Sequence, residues 1–282
     1  MGVISDDPHL KEPEENTGHE AGKKQGRNGD LAEDAIEDDR AKTSVIEVGP
    51  RSYLIRMPIV NAAFFVTDEG VVLVDTGKGP AGPAILEAVR SVTDLPIHTI
   101  IYTHGHVDHA YGTWAIMEAG ETPEIIAHEL LESRFRRYIR LRGSLAKYMS
   151  QPEEQLPASA SDLVWPTRYF SDRLELEIGG ETFVLQHHKG ETDDQLYVWV
   201  PGRRALASAD YYQGFLPNAG NGKRVQRHVE EWSTAMKEMA ALEPAILLPA
   251  HGAPLTDSAE IQENFLVLAE AFDHITRHTI EG

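Results

Sequence analysis

Residues 103–112 read THGHVDHAYG, and the fold follows from where this stretch sits. It comes straight after HTIIY (98–102), a β-branched run of the kind that forms a buried strand, and leads into a helix over 111–119. Its side chains therefore stand on a loop at a strand's C-terminal end. In extended backbone His104 and His106, two positions apart, point the same way. Asp108 and His109 come as the chain turns into the helix and address a second point nearby. Three imidazoles and a carboxylate within six residues are costly to pack as a core. This density of nitrogen and oxygen donors suits zinc, with manganese or iron as alternatives. A solvated polar loop with chance histidines is the bland alternative, and the clustering argues against it.

Six residues cannot complete two tetrahedral metal sites, so further ligands must come from elsewhere. Three candidates occupy matching positions at or just after strand ends. Glu191 lies in HHKGETDDQ after ETFVLQ, Asp210 in ALASADYY, and His251 in LLPAHGAP after AILL. A carboxylate between two cations can bridge them, which fits Asp210. His188, three residues before Glu191, is the rival for the third ligand, with a pocket-lining role as its other reading. Spacing favours Glu191.

Outward from this centre the chain repeats one device. Four short strands over 44–77 give way to a helix (80–92), the strand 98–102 and the helix 111–119. The strand PEIIAH and one longer basic-faced helix (129–149) follow, and 151–166 reads as irregular. Then LELEIGG and ETFVLQHH form a hairpin across Gly179-Gly180, and QLYVWVPGRRALASAD turns at Pro201-Gly202. Helices over 229–242 and 257–278 bracket AILLPAHG. Strands, then helix–strand alternation, given twice, predict an α/β protein of two halves packed as a sandwich with helices outside.

Residues 1–44 differ. They carry 12 acidic and 6 basic residues and no aromatic one, too little apolar surface to offset the entropy of ordering. They read as a disordered acidic arm, dispensable to the catalytic body over 45–282, with a short helix around Asp30 to Ala41 as the lesser alternative.

Composition narrows function. The chain has 282 residues, 41% of them hydrophobic, and no cysteine. Disulfides, thiolate metal sites and cysteine nucleophiles are thereby removed. A net charge of −19 opposes binding to nucleic acid or anionic membranes. No run is long enough for a membrane span and no secretory signal is visible. The expectation is a cytoplasmic protein acting on a small-molecule substrate, with a homodimer left open.

At this point the chain resembles a known family. His-x-His-x-Asp-His, the Asp of VLVDTG upstream, an Asp after a later strand and a final His-Gly loop together look like the metallo-β-lactamase fold hydrolases, over about residues 45–282. The resemblance implies an αββα sandwich of the metallo-β-lactamase type. It implies two zinc ions per chain, bound by His104, His106, Asp108, His109, Asp210 and His251. It makes Asp75 a residue that orients the metal loop; a turn-capping role before Gly77 is equally compatible.

Most of the superfamily has Gly-His-Thr where this chain has Gly190-Glu191-Thr192. The alkyl sulfatase branch also uses Glu there, nineteen residues before the bridging carboxylate, and Glu191 precedes Asp210 by nineteen. That branch usually bridges with Glu rather than Asp. By the same resemblance Asn218 matches an active-site Asn, and Lys223 stands at the position of a sulfate-binding Arg. Lys keeps the charge and loses the bidentate fork. Full-length alkyl sulfatases continue into a helical dimerisation region and a lipid-carrier-like domain, and this sequence stops where those would begin.

Two adjacent cations can activate water and polarise an ester oxygen, so no serine nucleophile is required, and Asp108 can accept the water's proton. Lys223, Arg224 and Arg227 form a basic run suited to an anionic group, and Tyr211, Tyr212 and Phe215 could wall an organic one. A dinuclear zinc hydrolase of alkyl sulfate-type esters is the leading expectation. A lactonase or carboxylesterase, with β-lactam or phosphotriester side activity, is the alternative. A non-catalytic metal-binding or oxidoreductase member is the third class. Relatives that hold iron and pass electrons usually need a flavin module, which has no counterpart in the sequence. A binding-only protein would be expected to lose ligands, yet none is lost here.

Overall fold

The structure, a computed structural model, describes residues 33–219 and 227–281. Its first sheet holds seven strands in sequence order: β1 (Ser44–Gly49), β2 (Ser52–Arg56), β3 (Asn61–Val66), β4 (Val71–Val74), β5 (Ile97–Ile101), β6 (Glu124–His128) and β7 (Arg168–Phe170). β1 to β4 form an antiparallel meander. β4 to β7 run parallel, with α2 (Gly82–Arg90), α3 (Thr113–Glu118) and α4 (Leu131–Arg140) in the crossovers. The second sheet has the order β12-β11-β10-β9-β8, built from β8 (Arg173–Ile178), β9 (Glu181–His187), β10 (Leu196–Val200), β11 (Ala205–Ala209) and β12 (Ile246–Pro249). Gly179 and Gly180, at φ 56° and 81°, close the β8–β9 hairpin at the expected turn, where the positive φ values favour glycine.

All residues of β3, β4, β10 and β11 are buried, because both faces of each sheet are covered. Phe65, Val72, Ile101, Leu185, Val198 and Leu248 pack between the sheets, with Phe65 and Phe183 edge to face at 5.7 Å. On the outer face of the first sheet lie Ile85, Val89, Ile116 and Phe135. On that of the second lie Trp232, Met236, Phe265 and Phe272, from α6 (Val229–Ala241) and α7 (Ser258–Glu281). Each such side chain contributes roughly 1.5–3 kcal/mol by leaving water. The layers are α, β, β, α, as expected. Among the described residues no helix is long and apolar enough to cross a membrane.

Two expectations need correction. The described end of the acidic arm is a helix, α1 (Glu33–Lys42), and it is anchored. Asp39 is buried and faces Lys78 Nζ at 3.2 Å, and Arg40 pairs with Glu87 of α2 at 2.8 Å. A tertiary ion pair, not an apolar stripe, holds this helix, so its periodicity carried no signal. The rest of the arm, 1–32, lies outside the described residues. The single helix expected over 129–149 is two, α4 and α5 (Arg142–Met149). Leu141 leaves helical geometry at φ −107°, ψ 18°, and Arg142 Nε then donates to Leu156 O at 3.0 Å. The irregular segment after α5 contains two 3₁₀ turns, Glu153–Gln155 and Ala160–Asp162.

Candidate metal centre

The centre lies where β4, β5, β9, β11 and β12 end. After β4 the backbone of Asp75 enters the left-handed region at φ 64°, while its N–H donates to Ile101 O at 2.9 Å. The turn sends its carboxylate across the end of β5. Oδ1 accepts the Thr103 N–H at 2.8 Å, and Oδ2 accepts the Thr103 hydroxyl at 2.7 Å and meets His109 Nδ1 at 2.8 Å. Of the two readings of Asp75, its contacts match the loop-orienting one: the carboxylate meets Thr103 and aims His109 rather than capping its own turn. Burial pushes its carboxyl above the usual range, against the pull of His109 and Thr103.

The far end of the metal loop is clamped as well. Thr76 N–H donates to His109 O at 2.6 Å, and the hydroxyls of Thr76 and Thr113 are 2.9 Å apart. A methyl group on Gly112 would fall 1.9 Å from Thr76 O, and one on Gly82 would fall 2.3 Å from Gly112 O. The starts of α2 and α3 therefore meet glycine against glycine.

Two donor groups converge: His104, His106 and Asp210 in one, Asp108, His109 and His251 in the other. Within each, the donor atoms lie within 4.8 Å of one another. His104 Nε2 and His106 Nδ1 are 2.9 Å apart. Asp210 Oδ2 is 3.8 Å from His104 Nε2, while its Oδ1 is 3.4 Å from His109 Nε2 and 3.2 Å from His251 Nε2. Asp210 therefore faces both groups, and a β-bulge between Ala207 and Ala209 re-aims it there. Asp108 Oδ2 is 3.7 Å from His109 Nε2 and 3.9 Å from His251 Nε2.

Burial, with His109 and His106 adding to it, drives His104 well below the ordinary histidine range. Burial and Arg134 do the same to His106, so both rings keep free lone pairs. For His109 burial is outweighed by Asp210, Asp108 and Asp75, which hold it well above that range. Burial is likewise outweighed at His251, which Asp210 raises to about 9. His109 Nε2 and Asp210 Oδ1 are buried without a hydrogen bond among the described residues. Buried polar atoms left this way are costly. Six donors converging from the ends of β5, β11 and β12, with two of their buried atoms unsatisfied, fit divalent metal.

Glu191 completes the rim. Its Oε1 is 3.7 Å from His106 Nδ1 and forms an ion pair with Arg227, and its Oε2 accepts from Gln213 at 2.9 Å. Burial and the neighbouring Asp210 raise its carboxyl to about 7. Behind the loop, Asp194 Oδ2 accepts the Gly105 N–H at 2.8 Å, and Asp194 Oδ1 accepts from Arg134 Nε at 2.9 Å. Arg134 also pairs with Asp193.

A cavity of about 570 Å³ opens on this centre. Asn218 and Phe215 line it, as do His106, Asp108, Glu191 and His251. Two expected substrate contacts do not. His188 turns to α6, where Nε2 meets Glu238 Oε2 at 2.6 Å. Tyr211 is fully buried, its hydroxyl donating to the carbonyls of His188 and Gln195. His188 pairs with an exposed residue of α6, and Tyr211 is held in the core. Lys223 and Arg224 lie outside the described residues.

Sequence reasoning missed Arg134 and the α4–α5 wall, which brings Arg137, Tyr138, Leu141 and Tyr148 to the cavity. The adjacent acids Asp193 and Asp194 were a visible hint that a buried cation lay opposite.

The layers and the ligand-bearing strand ends define a four-layer metal-binding αββα domain. The sequence profile of the Metallo-beta-lactamase superfamily matches residues 56–251, and the chain belongs to that superfamily. It is 26% identical over 238 residues to a linear primary-alkylsulfatase of a Pseudomonas species, covering 75% of this chain and 45% of that protein. It is 26% identical over 199 residues to a type 2 metallo-beta-lactamase of a Bacillus species, covering 68% and 66%. The chain thus spans about half to two thirds of these relatives. A stereoselective inverting sec-alkylsulfatase from a Pseudomonas species superposes with a TM-score of 0.69 at 17% identity, over 85% of this chain and 43% of the other. A metallo-beta-lactamase family protein from Thermus thermophilus gives 0.61 at 20% identity, over 80% and 81%.

Proposed function

We propose that this chain is a dinuclear zinc hydrolase of organic esters, with an anionic alkyl sulfate-type ester as the substrate class. The observation that carries the reading is Glu191. A carboxylate stands 3.7 Å from His106 Nδ1, at the spacing to Asp210 that the alkyl sulfatase branch uses, and likeness to two alkylsulfatases supports it. His104, His106 and Glu191 would hold one cation, Asp108, His109 and His251 the other, and Asp210 both. When bound, the cations supply Lewis acidity and lower the pKa of the attacking water.

The protein's own groups do the rest. Asp108, half-buried at the cavity wall, accepts the proton that the attacking water releases. Asp75 keeps the His109 ring in one orientation through Nδ1. Asn218, and Lys223 by its sequence position, bind the ester's anionic group.

The test is metal analysis of the purified protein, then hydrolysis of alkyl sulfate, aryl sulfate, lactone, β-lactam and phosphotriester. Two zinc ions and turnover of alkyl sulfate are expected. Lys223→Ala should slow the anionic ester at least tenfold, the range for a charge-assisted hydrogen bond, and spare neutral esters. Turnover of lactone or phosphotriester alone would move the assignment to a neutral-ester hydrolase.

A further inference from the structure

The cavity wall carries three arginines, all on or near the metal centre: Arg134, Arg137 and Arg227. Two are committed. Arg134 is buried against Asp193 and Asp194, and Arg227 is paired with Glu191. Arg137 has no ion pair among the described residues, although acidic residues outnumber basic ones 45 to 26 in the chain. It is half-buried, in a concave site rather than on open surface. A guanidinium with no ion pair among the described residues, facing a ligand cavity, is poised for an anion from outside.

Its position says where on a ligand that anion sits. Arg134 packs against Gly105, between the metal-loop histidines. Arg137 follows one turn later on α4, about 4.5 Å further along the helix axis. Leu141, Leu145 and Met149 continue that wall through α5. A ligand reaching from the metals to Arg137 therefore lies along an apolar surface. We propose that Arg137 receives a second anionic group, a carboxylate or sulfate, carried by the substrate's organic part away from the bond that is cleaved. This rests on the ester-hydrolase reading and adds that the substrate is a bifunctional organic anion.

The test uses metal-loaded full-length protein and two matched ester pairs: hexyl acetate with 6-acetoxyhexanoate, and hexyl sulfate with 6-sulfooxyhexanoate. Wild type should prefer the carboxylated member of a pair in kcat/KM. Arg137→Gln should reduce that preference at least tenfold, and Arg137→Lys should keep part of it. Arg140→Gln, an equal charge change on the exposed face of α4, should leave it unaltered. Binding is read separately, by calorimetry with adipate against hexanoate. If no ester turns over yet Arg137→Gln abolishes tighter binding of adipate, the hydrolase reading fails and the Arg137 site stands. Equal affinity of wild type for adipate and hexanoate, or an equal loss on both members of each ester pair in Arg137→Gln, overturns the site.

Discussion

Asp194 accepts the Gly105 amide at 2.8 Å, so the peptide joining His104 to His106 is gripped by a side chain from 89 positions further on. The same carboxylate holds the buried Arg134. One residue thus fixes the loop of the first donor group, as Asp75 fixes that of the second.

Asp194→Ala should leave the Arg134 charge poorly compensated. Breaking a buried pair in this way costs about 3–5 kcal/mol. We expect a lower denaturation midpoint and weaker metal retention by the His104–His106 group, with the Asp108–His109–His251 group retained. Metal content after dialysis and urea unfolding check both. Full retention of two metals would leave Asp194 a purely structural residue.

Asp210 faces both donor groups, so Asp210→Ala should lose at least one metal and hydrolysis with it. Elemental analysis decides this. Two metals per chain in that variant would put the bridge elsewhere.

Glu191→Gln should lower affinity at the first donor group, because a neutral amide is a poor zinc ligand. His188→Ala should leave metal content intact, since His188 is bonded to Glu238 on α6. An emptied site in His188→Ala with Glu191→Gln still loaded would invert the assignment.

His187 stacks on His128 at 3.6 Å and bonds Asp193 O at 2.9 Å. Burial depresses its pKa despite that bond. A depressed base binds fewer protons folded than unfolded, so its contribution is present above the unfolded value of about 6.5 and is lost as pH falls through the folded one. Urea unfolding between pH 8 and 5 should show this loss in the wild type, and His187→Gln should flatten it. Identical pH slopes in the two proteins would exclude His187 as the titrating group.

Removal of residues 1–32 should leave stability and metal content unaltered. Removal of 1–43 should lower the melting temperature without changing metal content, because it strips α1 from Lys78 and Glu87. Matching melting curves for the two truncations would show that α1 adds nothing to the body.

The strands were legible because β-branched runs between turn residues have few other fates. The donor cluster was legible because its density has no packing rationale. What escaped depended on pairings between distant residues. α1 lacks an apolar stripe and is fixed by Asp39 meeting Lys78. The α4–α5 break falls at Leu141, a residue with no turn signal of its own. Arg134 looked like one of several basic residues on a helix, and its burial follows only from two acids about sixty positions away. His188 and Tyr211 lie close in sequence to ligand candidates, but Glu238 on α6 took the first and the core the second.

Gly82 and Gly112 meet with no room for a methyl group, which sets the back of the donor loop apart from the cavity wall in how it can change. Behind the donor loop a side chain at either glycine must move backbone, so those positions are closed to drift. The facing wall of Leu141 and Phe215 is partly exposed, so side chains there can be exchanged singly while the donor geometry stays put. New substrates should arise by substitution on α5 and around Phe215, with the reaction itself inherited unchanged.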